Sequence, residues 1–144
     1  MIIQLTIFIA AQILFNIINA SFDAYRIAWL NKTVSHALNF GMYAVIVGVQ
    51  IYLGHFVWWY AVIFCLQAFF NRQNFFDIPL NLRRSKKDKS ITWDYISKAK
   101  PPKAWWDRQE IKVFGYNGKA IAISYMILWA LSTGVLYIIQ IKFL

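Results

Sequence analysis

The sequence is poor in the residues that support disulfide, metal and catalytic chemistry. It has a single cysteine, Cys65, which excludes both a disulfide within the chain and a CxxC redox or metal pair. It has six acidic residues and two histidines, and it contains no HExxH, GxSxG or phosphate-binding glycine loop. No motif in the chain therefore names a reaction.

Charged residues are scarce as well, at 15% of the chain, whereas hydrophobic residues make up 60% and aromatic residues 19%. The apolar residues are clustered in stretches that approach the roughly 20 residues a membrane-spanning helix needs. We therefore predict an all-α integral membrane protein that forms a single membrane domain, residues 1–144. The predicted parts are transmembrane helices 2–30, 35–53, 55–78 and 119–142, packed as an antiparallel bundle, and a basic, aromatic-rich interfacial loop 79–118.

Polar residues on the first predicted helix recur at helical spacing. They fall at Gln12, Asn16, Asn19, Asp23 and Arg26. This spacing places them on one side of the helix, and in lipid such a stripe must face protein or trapped water. Similar stripes lie on the second and third predicted helices, within 36–50 and 67–77. We expect the three stripes to meet at the cytoplasmic end of the bundle.

The distribution of charge predicts the orientation in the membrane. Residues 72–119 hold twelve of the fifteen Lys and Arg residues and five of the six acids, which is +7 of the net +9. The positive-inside rule places this segment in the cytoplasm and both termini outside, as in a multi-pass protein of the bacterial inner (plasma) membrane. We expect the segment to lie against anionic lipid headgroups, at about 1 kcal/mol per basic residue. Nucleic acid is the disfavoured partner.

A catalytic interpretation of the polar cluster is available. Asp23, His36 and Asp77 are acid/base groups or ligands of the kind that hold a divalent metal ion. The residues expected to bind an anionic substrate are Asn39, Arg72, Asn81, Arg83, Arg84 and Arg108. In the simpler interpretation, Asp23 pairs with Arg26 or Arg72, and the amides only bond the helices to one another.

The favoured function is a non-catalytic membrane component without a cofactor, either oligomerising or pore-type. Two small-xxx-small pairs, Ala44/Gly48 and Ala130/Gly134, allow close approach of a neighbouring helix and hence a homo-oligomer. The alternative is a membrane-embedded enzyme or binding protein for a lipid headgroup or another anionic substrate, with a divalent metal ion as its cofactor. An ion or proton pathway along Gln12, Asn16, Asn19 and Asp23 is a third hypothesis, and it requires a wetted cavity.

Several short patterns also suggest a group of proteins. They are Phe22-Asp23-Ala24, Ser35-His36-x-x-Asn39, Arg72-x-x-Phe75-Phe76-Asp77-x-x-x-Asn81-Leu82, Trp93-x-Tyr95-Ile96-Ser97 and Trp106-Asp107-Arg108-x-Glu110. Over positions 22 to 118 the chain resembles small, uncharacterised polytopic membrane proteins of bacteroidete-type bacteria and their phages. A phage-encoded membrane factor is one form of the favoured non-catalytic component; the resemblance slightly favours a functional site and supplies no substrate. The residues it selects for testing are Asp23, His36, Asn39, Arg72, Asp77, Asn81, Asp107, Arg108 and Glu110.

Overall fold

The structure, a computed structural model, describes residues 2–30, 36–94 and 105–143, and the side chains in these ranges other than those of 36, 37 and 105–107. All regular elements in these ranges are helical, which confirms the predicted all-α class. The elements in chain order are α1 (Ile2–Ala28), α2 (His36–Leu53), α3 (Trp58–Arg72), a π-helical segment (Gln73–Asp77), α4 (Ile78–Arg84), α5 (Trp105–Phe114) and α6 (Gly118–Lys142).

The third predicted helix differs most from the observed one. Pro79 predicts that this helix stops or kinks near Asp77–Ile78, because proline disrupts a helix at the residues before it. In the structure, helical turns continue through α4 to Arg84. Pro79 has no N–H to donate to the carbonyl of Phe75, four residues earlier. The π-helical segment, whose turns are wider, ends just before α4 and accommodates this missing bond without ending the helix.

Helix α1 is the central element of the fold. It contacts α2, α3, the π-helical segment, α4 and α6. Contacts between Asn16 and Asn71, and between Phe8 and Phe64, show that α1 and α3 run parallel. Contacts of α2 with α1 run in the opposite sense, and so do those of α6 with α3, where Phe70 meets Tyr125 and Tyr60 lies beside Gln140. Consecutive long helices therefore alternate in direction.

This alternation gives the bundle two distinct ends. The turn between α2 and α3 lies at one end, where Gln4 Nε2 donates to Leu53 O over 3.2 Å. We call this the hairpin end; His55, in its turn, adopts a left-handed φ of 50°. The opposite end, called here the polar end, carries Asp23, Asn39 and the start of the hydrophilic segment after α4.

Two helices of the described residues are long and apolar enough to cross a membrane by length and composition, α1 and α6. Leu38–Leu53 is apolar but shorter. The third predicted span is divided among α3, the π-helical segment and α4. By this criterion the structure provides two of the four predicted spans.

Apolar packing holds the two ends of the bundle separately. Towards the hairpin end, Leu5, Ile9, Phe64 and Leu136 are buried together with aromatic and aliphatic neighbours from four helices. Towards the polar end, the small Ala20 and Ala24 of α1 receive Phe76 and Leu80. Because alanine has no side chain beyond Cβ, the backbone of α1 and the helix after Pro79 approach closely there.

Candidate functional site

The candidate site is the line of polar side chains along α1, which we call the polar seam. Gln12, Asn16 and Asp23 are buried, as the spacing of the stripe predicted. Asn19 is half-buried, and Arg26 is exposed. The predicted stripe is therefore internal over its first part and reaches the surface at its end.

At the level of Gln12 the seam is closed by direct hydrogen bonds. Gln12 Nε2 donates to Gln50 Oε1 over 2.8 Å, and Gln50 Nε2 donates to Phe8 O over 3.1 Å. The hydroxyl of Tyr43 donates to Gln12 Oε1 at 3.2 Å and to Ala68 O at 2.9 Å. This cluster joins α1, α2 and α3 and uses both amide ends of each glutamine.

One turn further along α1, two asparagines connect α1 to α3. Asn16 Nδ2 donates to Asn71 Oδ1 over 3.1 Å, and both side chains are buried. Hydrogen bonds of this kind stabilise helix pairs in membranes by about 1 kcal/mol. The pair fixes the register of the two parallel helices.

The polar end brings together carboxylate, amide and guanidinium groups. Asn39 Nδ2 donates to Asp23 Oδ2 over 2.5 Å. Arg72 is buried, its Nη1 lies 3.8 Å from Asp77 Oδ1, and its guanidinium carbon lies 3.4 Å from the centroid of the Phe76 ring. The Asp77 side chain is 48% exposed, so it lies on the solvent-accessible side of this cluster.

These contacts bear on the predicted catalytic and metal-binding trio. Asp23 lies on α1 against Asn39, and Asp77 lies at the end of the π-helical segment beside Arg72. The side chain of His36 lies outside the described residues, as does that of Asp107. The described part of the chain contains no group of three His, Cys, Asp or Glu residues that could hold a metal ion. The trio that includes His36 stays a prediction.

The predicted substrate-binding residues occupy different surroundings. Asn81 donates to Trp93 O over 3.3 Å, and Arg83 Nη1 donates to Ile17 O over 3.3 Å. Arg84 is half-buried on α4, while Arg108 is exposed on α5, a helix that packs on α6. Asn39 and Arg72 belong to the polar end. Several of these side chains therefore bond helices and loops to one another, in line with the simpler interpretation.

The basic run after α4 is attached to α1. Lys87 Nζ donates to Ala28 O, the last residue of α1, where the helix dipole favours a positive charge. Lys86 and Lys89 are exposed. Asp88 Oδ1 accepts hydrogen bonds from the hydroxyl and the N–H of Ser90, at 2.7 and 2.9 Å, which lower the pKa of Asp88 below its ordinary value. The run thus presents ordered positive charge beside the end of α1.

Two described parts of the hydrophilic segment, Asp94 and α5, contact the first half of α6. The sequence from Trp105 to Val113 predicts a short surface helix, and the structure forms α5 there. The Tyr125 hydroxyl of α6 donates to Glu110 Oε1 of α5 over 2.7 Å. Asn117 Oδ1 accepts from the N–H of Ala120 and so caps α6. Gly118 is buried, and a Cβ on it would lie 1.9 Å from Asp94 O. Only glycine fits this contact.

Two polar positions were missed from the sequence. Tyr60 lies among the aromatic residues 56–60, a pattern that predicts a position at the lipid headgroups, yet its side chain is completely buried. Gln140 was passed over because α6 is almost entirely apolar, and it too is buried. The available signal was the isolation of Gln140, since a lone amide in an apolar helix needs a protein partner in lipid.

No protein-family model, no curated protein and no solved structure matches this chain. The geometry of the polar seam and of the basic run therefore has to carry the functional inference.

Proposed function

We propose that the chain is a multi-pass protein of the bacterial inner membrane that acts without catalysis, as a self-associating component that holds its basic run on anionic lipid. One observation carries this proposal. The described residues bury ten polar or charged side chains and expose large apolar side chains on every long helix, which is unlike a water-soluble fold.

The exposed apolar surface is extensive on every long helix. Ile3 of α1 is 76% exposed, Val45 of α2 67% and Ile141 of α6 68%. Only 22% of the most apolar window of α1, and 11% of that of α6, is buried inside the protein. Contiguous apolar surface of this size would drive association in water, whereas acyl chains solvate it.

The proposed protein crosses the membrane four times. Helix α2 has 18 residues and would be about 27 Å long, close to the roughly 30 Å of the hydrocarbon core. The continuous helical run from α3 through α4 is longer than that. The alternating directions of the four long segments support four passes with both termini on one side.

Sidedness follows from the positive charges. Arg26 and the basic run both belong to the polar end, whereas Lys142 ends α6 at the hairpin end. The positive-inside rule then places the polar end in the cytoplasm. Exposed Lys86 and Lys89 are held there at the membrane surface, which favours contact with anionic headgroups over contact with nucleic acid.

Self-association is supported by small residues on the outer surface. Ala44, Gly48, Ala130 and Gly134 are exposed, and a Cβ built on either glycine would meet nothing within 4 Å. A neighbouring copy could approach closely at these positions. Gly48→Leu and Gly134→Leu should weaken association in detergent or bilayers, measured by energy transfer between labelled copies, whereas the lipid-facing control Val45→Leu should not.

The catalytic alternative rests on the polar end, where Asp77 is accessible beside the buried Arg72. Asp23 and Asp77 each already contact another side chain, which supports a structural role. We expect the purified protein to contain no stoichiometric divalent metal. A metal that binds at one equivalent and is lost in Asp23→Asn would support the alternative instead.

Cysteine labelling tests the proposed topology. In a Cys65→Ser background, His55→Cys and Lys87→Cys place a thiol at opposite ends of the bundle. In intact spheroplasts, an impermeant maleimide should label His55→Cys and leave Lys87→Cys unlabelled until the membrane is permeabilised. Equal labelling of both, or the reverse pattern, would contradict the orientation.

A further inference from the structure

Buried side-chain atoms without a hydrogen-bond partner are unevenly distributed in this bundle. The described residues contain nine such atoms, and eight of them belong to α3, the π-helical segment or α6. The ninth is Asn16 Oδ1, on the face of α1 that meets α3. The α1–α2 side, in contrast, is closed by the Gln12, Gln50 and Tyr43 bonds.

Gln67 is the extreme case. Its side chain is 0% exposed, and neither Nε2 nor Oε1 has a partner. Asn71 lies one turn further along α3 and bonds to Asn16, yet Asn71 Nδ2 and Asn16 Oδ1 are both unpaired. Three buried amides in the same part of the bundle thus offer two donors and two acceptors.

Helix α6 closes this region from the other side. The rings of Phe70 and Tyr125 lie in contact near one end of this helix pair, and Tyr60 lies beside Gln140 near the other, so α3 and α6 run antiparallel. Gln67 lies two turns after Tyr60 on α3, and Thr133 lies two turns before Gln140 on α6. The antiparallel register therefore brings Thr133 to the level of Gln67. The hydroxyl of Thr133 is also buried and unpaired.

Such a set cannot stay unpaired in a folded protein. Each buried polar atom without a partner loses the hydrogen bonds it makes to water in the unfolded chain, and lipid offers none in exchange. The sum over these atoms would rival the whole stability of a small domain. A bound molecule that both donates and accepts hydrogen bonds removes this penalty.

The chemistry of the four amide atoms selects that molecule. All three amides are neutral, and donors and acceptors are equal in number. A cation would be repelled by the two N–H groups, and an anion by the two carbonyl oxygens. Water donates two bonds and accepts two, and buried water commonly pairs groups of this kind. We propose that a cluster of water molecules is bound between α1, α3 and α6, held by Gln67, Asn71, Asn16 and Thr133.

Water-edited solid-state NMR of the wild-type protein in bilayers tests this proposal directly. With ¹⁵N-labelled Gln and Asn, magnetisation transferred from water should reach Gln67 Nε2 and Asn71 Nδ2. Gln12 Nε2 and Gln50 Nε2 are the matched controls, since both are buried but bonded directly to protein. We expect transfer to the first pair to be as fast as to an exposed amide, and transfer to the controls to be much slower.

Two variants distinguish a water signal that comes from bound water from one that comes from local mobility of the helix. Gln67→Met removes half of the amide atoms that would hold the cluster and should cause loss of the water signal at Asn71 Nδ2, whereas Gln12→Met should leave that signal unchanged. If magnetisation transfer from water to the Gln67 amide of the wild-type protein is as slow as transfer to the Gln12 amide, the proposal is wrong. Equal water signals at Asn71 in both variants would overturn it too.

Discussion

Gln12 and Gln50 lie 38 positions apart in two of the most apolar stretches of the chain, yet their side chains are buried against each other at 2.8 Å. This bond is one of the contacts that decide how α1 and α2 pack. Apolar side chains contribute less to that choice, because lipid solvates them as well as a neighbouring helix does. The same reasoning applies to Asn16 with Asn71, and to Asn39 with Asp23. Polar pairs therefore specify this fold more than apolar burial does.

The first prediction concerns the Gln12–Gln50 pair. Gln12→Leu should lower the free energy of unfolding by about 1–2 kcal/mol, because it leaves Gln50 Oε1 and the Tyr43 hydroxyl without one bond each. Gln12→Leu combined with Gln50→Leu should cost less than the sum of the single changes. Unfolding in mixed micelles measures both, with the exposed Val49→Ala as control. Strict additivity would mean that the two amides do not interact.

A second prediction uses the close approach of two backbones. Gly118→Ala should destabilise the protein by about 1–3 kcal/mol, because the added methyl group would overlap the carbonyl oxygen of Asp94. Gly134→Ala is the matched control, since it lies on the same helix with nothing within 4 Å of a new Cβ. Thermal unfolding followed by circular dichroism distinguishes them. Equal midpoints for the two variants would show that residue 94 does not contact α6.

A third prediction concerns Lys87 at the end of α1. Lys87→Met removes both a hydrogen bond to Ala28 O and a charge that complements the helix dipole, and should lower stability by about 0.3–1 kcal/mol. Lys86→Met should have little effect, because it is Lys87 and not Lys86 that bonds to the end of α1. Chemical unfolding of both variants at low salt provides the comparison. A larger loss of stability for Lys86→Met than for Lys87→Met would show that Lys87 does not stabilise the end of α1.

The fourth prediction is a pH dependence outside the helices. Hydrogen bonds from the Ser90 hydroxyl and N–H lower the pKa of Asp88 below its ordinary value of 3.8. Ser90→Ala removes the hydroxyl and should raise that pKa towards the ordinary value. Since the folded pKa is depressed, the contribution of these bonds is present above the unfolded pKa and is lost as the pH falls through the folded one. Carbon-13 NMR titration of the Asp88 carboxyl group measures the shift; an unchanged pKa would show that the Ser90 hydroxyl does not bond to Asp88.

Spacing alone predicted much of the seam. Gln12, Asn16 and Asp23 recur at helical intervals, and in an apolar helix such a stripe must be internal. The partner of each residue could not be predicted, because that depends on how neighbouring helices are aligned. Arg26 continues the stripe but is exposed, although Ile27 and Ala28 of the same turn contact neighbouring residues.

Other features depend on packing that the sequence does not display. Pro79 predicts an interruption of the third helix. In the structure a π-helical segment precedes this proline and the helix continues as α4. Arg83, which the sequence predicts to bind an anion, donates a hydrogen bond to the carbonyl of Ile17. A long basic side chain can reach several acceptors, so its choice among them follows from tertiary structure alone.

The most direct test of the polar-inside arrangement uses the native Cys65, which is exposed near the middle of α3. If lipid covers this face, a water-soluble, impermeant maleimide should fail to modify Cys65 in proteoliposomes, while a lipid-soluble maleimide modifies it and denaturation in detergent makes it reactive to both. Rapid modification of Cys65 by the impermeant reagent in intact proteoliposomes would contradict it, because the thiol would then face water.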